Sequence, residues 1–325
     1  MKFFLNAIIF CFIVSCSNSN SVSNLNTKNL DTIEFGQPNL ISLNNDDFDT
    51  LVKYGYELMN NTSYYIGPNG KVSNITKSKM NCSNCHQLAG TKSFSFNLVK
   101  SHENYPQYRS RENKVLTLAE RVNNCITRPL NGIELKLESK EMLAFLCYLK
   151  WINNSFPKNK ILRGEKNLNI KFIDRAASPK KGEIVYKIHC ERCHQQNGTG
   201  LFNHDSSTYI YPPLWGDNSY QAGSSMHRII KQAQWLKANM PYDSATWQKP
   251  ILTDEEALDV AAYVNNDEQN PRKNPKNLDY PNKQKKAIDY GMGPYDDIFS
   301  EQQHKFGPYQ PIIDFWLRNN KKPIY

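Results

Sequence analysis

The apolar residues of this chain recur at helical spacing in four segments. The first spans residues 46–65, and the second begins at Ser178, a helix N-cap followed by a first-turn proline. The third begins at Ser139, and the fourth at Thr253, where Glu256 completes a capping box. Their apolar positions are, in the same order, Leu51, Val52, Leu58 and Met59; Ile184, Val185 and Ile188; Met142, Phe145, Leu149 and Ile152; and Leu258, Ala261 and Val264. The pattern predicts a mainly α protein built from two similar units.

Within each unit, one short motif lies between the first helix and the last. The motif is Cys-x-x-Cys-His, and it occurs as Cys82-Ser-Asn-Cys85-His86 and as Cys190-Glu-Arg-Cys193-His194. It is typical of covalent c-type haem attachment, in which both thiols bond to the haem and the histidine is an axial iron ligand. Zinc or thiol-redox chemistry fits less well, because the two pairs lie much further apart than zinc ligand pairs. We therefore expect two tandem cytochrome c domains with long irregular loops and two covalently bound haem c groups.

The N-terminus predicts export. Lys2 precedes an apolar run that is too short to span a bilayer and is shaped like a signal peptide. The run ends at Ile13-Val14-Ser15-Cys16, which resembles a bacterial lipobox and makes Cys16 a predicted lipidation site. We expect a periplasmic lipoprotein held at a membrane by this anchor. An ordinary secretory signal peptide with an incidental cysteine is the alternative.

The C-terminal stretch is rich in Pro, Asn, Lys and Tyr, yet it contains apolar residues around Trp316 that are costly to leave in water. We expect this extension to wrap over both domains. The expected organisation is a lipoprotein signal peptide over 1–15, a polar tether over 16–45, the first cytochrome c domain over 46–157, a charged linker over 158–177, the second domain over 178–267 and the extension over 268–325.

The net charge of +9 favours anionic small substrates or an acidic redox partner. Nothing in the chain resembles a base-reading module, so we expect no nucleic-acid partner.

The second axial ligands distinguish the two domains. In the second domain, Met240 precedes a proline shortly before the last helix and suits a thioether ligand, whereas Met226 is equally explained by packing. In the first domain there is no methionine between residues 87 and 141. His102 lies poorly for reaching over the haem, which leaves Cys125, a thiolate donor that would lower the reduction potential. A disulfide from Cys125 to Cys147 is the competing interpretation.

Arginines cluster around Cys125. Arg109, Arg111, Arg121 and Arg128 all lie near it in the sequence. The guanidinium group is a planar fork of donors that suits oxyanions, although any single arginine is readily explained as a solvated side chain. Four of them beside a thiolate ligand predict a site for a small dianion.

Several motifs together resemble the thiosulfate dehydrogenase family. They are Tyr108-Arg109-Ser110-Arg111, Glu120-Arg121-Val122-Asn123-x-Cys125, Asn131-Gly132, Glu141-Met142 with Tyr148-Leu149-Lys150-Trp151, Pro212-Pro213-Leu214-Trp215-Gly216, Ser219-Tyr220, Asn239-Met240-Pro241, Asp259-Val260-Ala261-Ala262-Tyr263-Val264 and His304-Lys305-Phe306-Gly307-Pro308. The similarity covers roughly residues 50 to 315.

The resemblance implies a periplasmic dihaem enzyme that couples two thiosulfates to tetrathionate, or catalyses the reverse. It implies axial pairs of His86 with Cys125 and of His194 with Met240, and catalytic roles for Cys125, Arg111 and Arg121. Electrons would leave through the second haem to a small soluble or membrane-bound cytochrome c.

Two positions depart from the family pattern. Asn239 stands where some relatives carry a lysine, so a lysine–methionine ligand switch is not expected. Pro129 stands where relatives usually carry serine, which puts one substrate hydrogen bond in question.

Two other functions compete with this one. A non-enzymatic dihaem electron carrier would need no anion pocket, and a dihaem peroxidase has no matching motif beyond haem attachment.

Overall fold

The computed structural model describes residues 31–274 and 279–325. Within that part of the chain, no helix is both long and apolar enough to cross a membrane. The predicted signal peptide and the lipidation site Cys16 lie outside the described residues.

The first domain is mostly helical, with two small strand pairs. Its helices are α1 (Asp47–Asn60), α2 (Thr62–Ile66), α3 (Gln87–Gly90), α4 (Ser101–Asn104), α5 (Leu118–Thr127) and α6 (Lys140–Ser155). Its strands are β1 (Thr32–Ile33), β2 (Gln107–Arg109), β3 (Lys114–Leu116) and β4 (Ile161–Leu162). Strands β2 and β3 pair antiparallel, and β1 pairs parallel with β4.

The second domain is also mostly helical, and the extension adds two helices. The helices are α7 (Pro179–His189), α8 (Glu191–His194), α9 (Ile229–Asn239), α10 (Asp254–Val264), α11 (Glu301–Phe306) and α12 (Gln310–Arg318). The strands β5 (Leu201–Phe202) and β6 (Tyr209–Tyr211) form an antiparallel pair. The mainly α, two-domain prediction is confirmed.

The first and last helices of each domain cross in close contact. Helix α1 packs on α6, and α7 packs on α10. A glycine lies at each crossing: a Cβ atom at Gly55 would overlap the Ala144 carbonyl, and one at Gly182 would overlap the Asp259 carbonyl. The same solution therefore occurs in both halves, because only a residue without a side chain lets the two backbones approach this closely.

Three helices begin at the capping residues predicted from the sequence. Ser139, Ser178 and Thr253 each accept a hydrogen bond from the first turn of α6, α7 and α10, respectively.

Three expectations about the helices need correction. The helix predicted over 46–65 is interrupted at Asn61, and helices α5 and α9 occupy parts of the expected loop-rich middles.

Part of the expected tether is also packed. Ile33 and Phe35 lie against the first core, and β1 pairs with β4 inside the predicted linker. Residues 31–45 are therefore not a free tether over their described length, because their apolar side chains gain burial on the domain surface.

The extension contacts both domains, as predicted. Ile312, Ile313 and Trp316 are buried in the second core. The backbone N–H of Tyr280 donates to the Arg111 carbonyl of the first domain at 2.7 Å.

The helix crossing gives a stability test. Gly55→Ala should lower the free energy of unfolding by about 1–3 kcal/mol, because the added methyl group overlaps the backbone of α6. Gly36→Ala is the matched control, since an added Cβ there has no neighbour within 4 Å among the described residues. Denaturant unfolding followed by circular dichroism measures both variants, and equal losses would contradict the proposed role of the crossing.

Candidate active site

The first Cys-x-x-Cys-His motif forms one wall of a cavity of about 380 Å³. Cys82 begins a short 3₁₀ turn, in which the Asn84 side chain accepts a hydrogen bond from the Asn81 backbone N–H at 2.7 Å. His86 follows, and its Nδ1 lies 2.6 Å from the Phe96 carbonyl oxygen. This hydrogen bond engages one ring nitrogen and leaves Nε2 available as a metal ligand.

Cys125 lines the same cavity from helix α5. Thr117 and Glu120 form a capping box that fixes where this helix begins. The start of the helix in turn determines on which side Cys125 lies, in the third turn. Arg121 lies one turn before Cys125, and its guanidinium donates to the Cys125 Sγ at 3.1 Å. The thiol thus has a cationic donor from its own helix.

The environment favours the thiolate. Burial by itself raises the pKa of Cys125, but the charge of Arg121 and the hydrogen bond and charge of His86 outweigh burial and lower the pKa to about 6. By contrast, burial raises the pKa of both Cys82 and Cys85 to about 12. Cys125 is therefore the thiol of this cavity suited to act as an anionic ligand.

The disulfide alternative is wrong for this structure. Cys125 and Cys147 are both unbridged. Cys147 packs against the first core, whereas Cys125 faces the cavity.

The donors around this cavity fit a c-type haem. Two thiols in the attachment motif, an available imidazole nitrogen and an opposing thiolate are the groups that would hold the porphyrin and its iron. These are Cys82, Cys85, His86 and Cys125.

A second cavity, of about 540 Å³, surrounds the second motif. His194 Nδ1 lies 2.8 Å from the Pro212 carbonyl oxygen, which again leaves Nε2 available. Burial lowers the pKa of His194 and so favours the neutral imidazole that binds iron. Cys190, Cys193 and Met240 complete a donor set that fits a His/Met haem.

Both methionines considered from the sequence line this second cavity. Met226 is buried in the cluster between the domains and also borders the first cavity, whereas Met240 lies at the C-terminal end of α9. The assignment of Met240 as the ligand remains a prediction. Asn239 beside it is buried, and its side-chain amide donates to the Phe94 carbonyl of the first domain at 3.1 Å.

One tryptophan joins the two cavities. Trp235 lines the second cavity, and its indole N–H donates to the Cys85 carbonyl of the first motif at 3.1 Å. Trp235 thus links the first attachment motif to the wall of the second cavity, and Cys85 and Met226 line both cavities.

All four arginines predicted near Cys125 line the first cavity, but their partners differ. Arg111 donates to the Gly223 carbonyl at 2.5 Å and lies 3.9 Å from Asp279. Arg128 forms ion pairs with Asp279 at 2.7 Å and with Glu112 at 3.2 Å. Arg128 is therefore charge-compensated by the protein itself.

Two further cations were missed by sequence reasoning. Arg228 and Lys231 reach the first cavity from the second domain, and Pro129 lines it as well. Their position in the first cavity could not be predicted from local sequence patterns, because Arg228 and Lys231 lie about a hundred residues beyond Cys125 and belong to the other repeat.

The comparisons with known proteins match this architecture. Residues 73–156 match the SoxA/TsdA cytochrome c domain, and residues 179–268 match the cytochrome c family. A thiosulfate dehydrogenase from Psychrobacter arcticus is 31% identical over 247 residues, covering 75% of this chain and 71% of the relative. The chain belongs to the thiosulfate dehydrogenase family. As predicted, its two cytochrome c domains bind two covalently attached c-type haems.

Two further members of this family match a similar share of this chain. A thiosulfate dehydrogenase from Thiomonas intermedia is 31% identical over 241 residues, which is 74% of this chain and 73% of the relative. Among solved structures, thiosulfate dehydrogenase (TsdBA) from Marichromatium purpuratum matches with a TM-score of 0.64 and 26% identity over 71% of this chain. This chain covers 49% of that protein, about half of its length.

The axial ligand assignment has a spectroscopic test. Cys125→Ser should alter the ferric low-spin electron paramagnetic resonance signal of one haem, because a serine hydroxyl replaces a strong thiolate donor. Met240→Leu should alter the other signal. Cys147→Ala, which removes a thiol outside the cavity, is the control and should leave both unchanged. A Cys125→Ser spectrum identical to that of the wild type would rule out thiolate ligation.

Proposed function

We propose that the protein is a dihaem oxidoreductase that couples two thiosulfates to tetrathionate and also supports the reverse reaction. The observation that carries this proposal is the pairing of Cys125 with Arg121 opposite His86, in a cavity lined with arginines. A haem that only carries electrons has no need of an ionisable thiol or of a dianion pocket.

The arginines have a positioning and electrostatic role. Two thiosulfate dianions repel each other, so forming the S–S bond requires positive charge around both. Arg121 and Arg111 supply fixed cationic donors that need little reorganisation when the anions bind. Arg111 is held in place by its contacts with Gly223 and Asp279.

Cys125 has its own role beside these cations. Arg121 keeps its sulfur anionic within the cavity, next to the place where the substrate sulfurs would meet. Joining two thiosulfates releases two electrons, which haems held by Cys82, Cys85 and His86 and by Cys190, Cys193 and His194 would accept one at a time. The haem of the second domain would pass them to a small soluble or membrane-bound cytochrome c.

The cellular location follows from the same proposal. Covalent haem attachment and the signal peptide predicted from the sequence support a periplasmic enzyme. Lipidation at Cys16 would hold it at a membrane.

Removal of the Cys125 thiol tests the function. Cys125→Gly should lower thiosulfate-dependent ferricyanide reduction at least about 100-fold while both haems stay attached, because the variant loses a group that acts on the reacting sulfurs. Tetrathionate reduction by reduced methyl viologen should fall in parallel.

Cys147→Ala is the matched control and should keep near-normal turnover, since Cys147 packs in the first core. Pyridine haemochrome spectra confirm haem content in each variant. Near-normal activity of Cys125→Gly would contradict the role of the thiol. A wild type that turns over neither thiosulfate nor tetrathionate would favour a non-enzymatic electron carrier.

A further inference from the structure

Residues 94–96 of the first domain have a strained backbone beside the first attachment motif. Phe94 has a φ of 59° and Phe96 a φ of 47°. These values lie in the left-handed region, which is unfavourable for residues with bulky side chains. A backbone in this conformation persists only where the surrounding structure holds it. The contacts of this segment therefore decide whether it keeps its shape.

The shape of the segment matters because it carries the hydrogen-bond acceptor of His86. The Phe96 carbonyl oxygen lies 2.6 Å from His86 Nδ1. A carbonyl in this position fixes the orientation of an imidazole and makes its other nitrogen a stronger metal ligand. The orientation of His86, the predicted iron ligand, thus depends on the backbone of residues 94–96.

The first domain and the linker supply part of the support. The Phe94 N–H donates to the Gly164 carbonyl at 3.0 Å. The Ser95 hydroxyl donates to the Cys85 carbonyl at 3.2 Å, which ties the segment to the attachment motif itself.

Helix α9 of the second domain supplies further support. The Asn239 side-chain amide donates to the Phe94 carbonyl at 3.1 Å. Trp235, one turn earlier, donates its indole N–H to the Cys85 carbonyl at 3.1 Å. Its ring also stacks on that of Phe96, with the two centroids 6.5 Å apart. One face of α9 thus contacts both strained residues and the residue that precedes His86.

The burial of these two side chains makes their contacts difficult to replace. Trp235 is 4% exposed and Asn239 is fully buried. Asn239 also donates to the Trp235 carbonyl at 2.9 Å, so its amide is held on its own helix while it reaches the other domain. A buried acceptor that loses its donor is costly, because water does not reach it. Without α9, the strained segment would be free to relax into an ordinary backbone conformation.

We propose that Trp235 and Asn239 are positioning residues for His86: they hold residues 94–96 of the first domain in the conformation that places the Phe96 carbonyl on the imidazole. The second domain then completes the first haem site. Asn239 directly precedes Met240, so one turn of the chain lies beside the predicted ligands of both haems. The inference goes beyond the proposed function and does not depend on which anion the cavity binds.

Hydrogen exchange of the oxidised holoprotein, measured by mass spectrometry, tests whether α9 holds the segment. In Asn239→Ala, the amides of residues 94–98 should exchange about tenfold faster than in the wild type, equivalent to about 1.4 kcal/mol, because a buried hydrogen bond is lost. Trp235→Phe keeps a ring against Phe96 but removes the N–H donor, so exchange should rise at least about threefold. This milder variant decides the question if Asn239→Ala fails to incorporate haem.

Electron paramagnetic resonance distinguishes a positioning role from a merely structural one. The ferric low-spin signal that Cys125→Ser alters belongs to the first haem. It should also change in Asn239→Ala and Trp235→Phe, because the hydrogen bond that orients His86 is weakened. A loosened contact between the domains would by itself leave this signal as it is.

Gln234→Ala is the matched control on the same helix. Gln234 is buried, and its side-chain oxygen accepts from Asn167 of the linker at 3.1 Å. The variant therefore removes a buried contact of α9 that does not involve residues 94–98. Its exchange at these residues and its first-haem signal should match the wild type. Pyridine haemochrome and circular dichroism spectra show whether each variant is loaded and folded.

Three results would overturn the positioning role. The first is exchange at residues 94–98 within twofold of the wild type in both Asn239→Ala and Trp235→Phe. The second is faster exchange in these variants with an unaltered first-haem signal. The third is a Gln234→Ala variant that is affected as much as Asn239→Ala. None of these measurements involves thiosulfate, so they are independent of the proposed function.

Discussion

The close crossing of the first and last helices in each domain is the constraint on which the rest of the structure depends. At Gly55 and at Gly182, backbone meets backbone with no room for a side chain. The crossing fixes where the chain emerges toward each Cys-x-x-Cys-His motif, and the histidine is then oriented by a single carbonyl, that of Phe96 or Pro212. Both haem sites are therefore built on the same kind of helix crossing. They differ in the segments that lie between the two crossing helices.

Those intervening segments make the two halves unequal. In the first half, helix α5 presents Cys125 together with Arg121, so the thiol carries its own cationic donor. In the second half, Met240 directly follows helix α9, and the helix also presents Lys231 and Trp235 toward the first half. One helix of the second domain therefore serves both cavities.

Acidic residues of the extension balance part of the positive charge around the first cavity. Arg128 and Arg228 form ion pairs with Asp279 and Asp289, which hold residues 279–289 over the boundary between the domains. Asp279 also lies 3.9 Å from Arg111, so the same carboxylate helps to hold Arg111 in place. The extension thus sets part of the charge balance of the cavity, and none of its described residues belongs to the donor sets of the two haem sites.

The sequence by itself determined the features that depend on local chemistry: the two haem attachments, the capping residues of α6, α7 and α10, and the candidate thiolate Cys125, since no methionine competes with it. Helix α9 escaped prediction because its amphipathic pattern is weak, whereas α5 has both a capping box and an amphipathic pattern that were present in the sequence and were missed. Tertiary structure alone decided that Arg228 and Lys231 reach the first cavity and that Asp279 pairs with Arg128, because these arrangements bring together residues about a hundred or more positions apart. Motifs encode bonds formed within a few residues, whereas the balance of charge in a pocket depends on how the whole chain is folded around it.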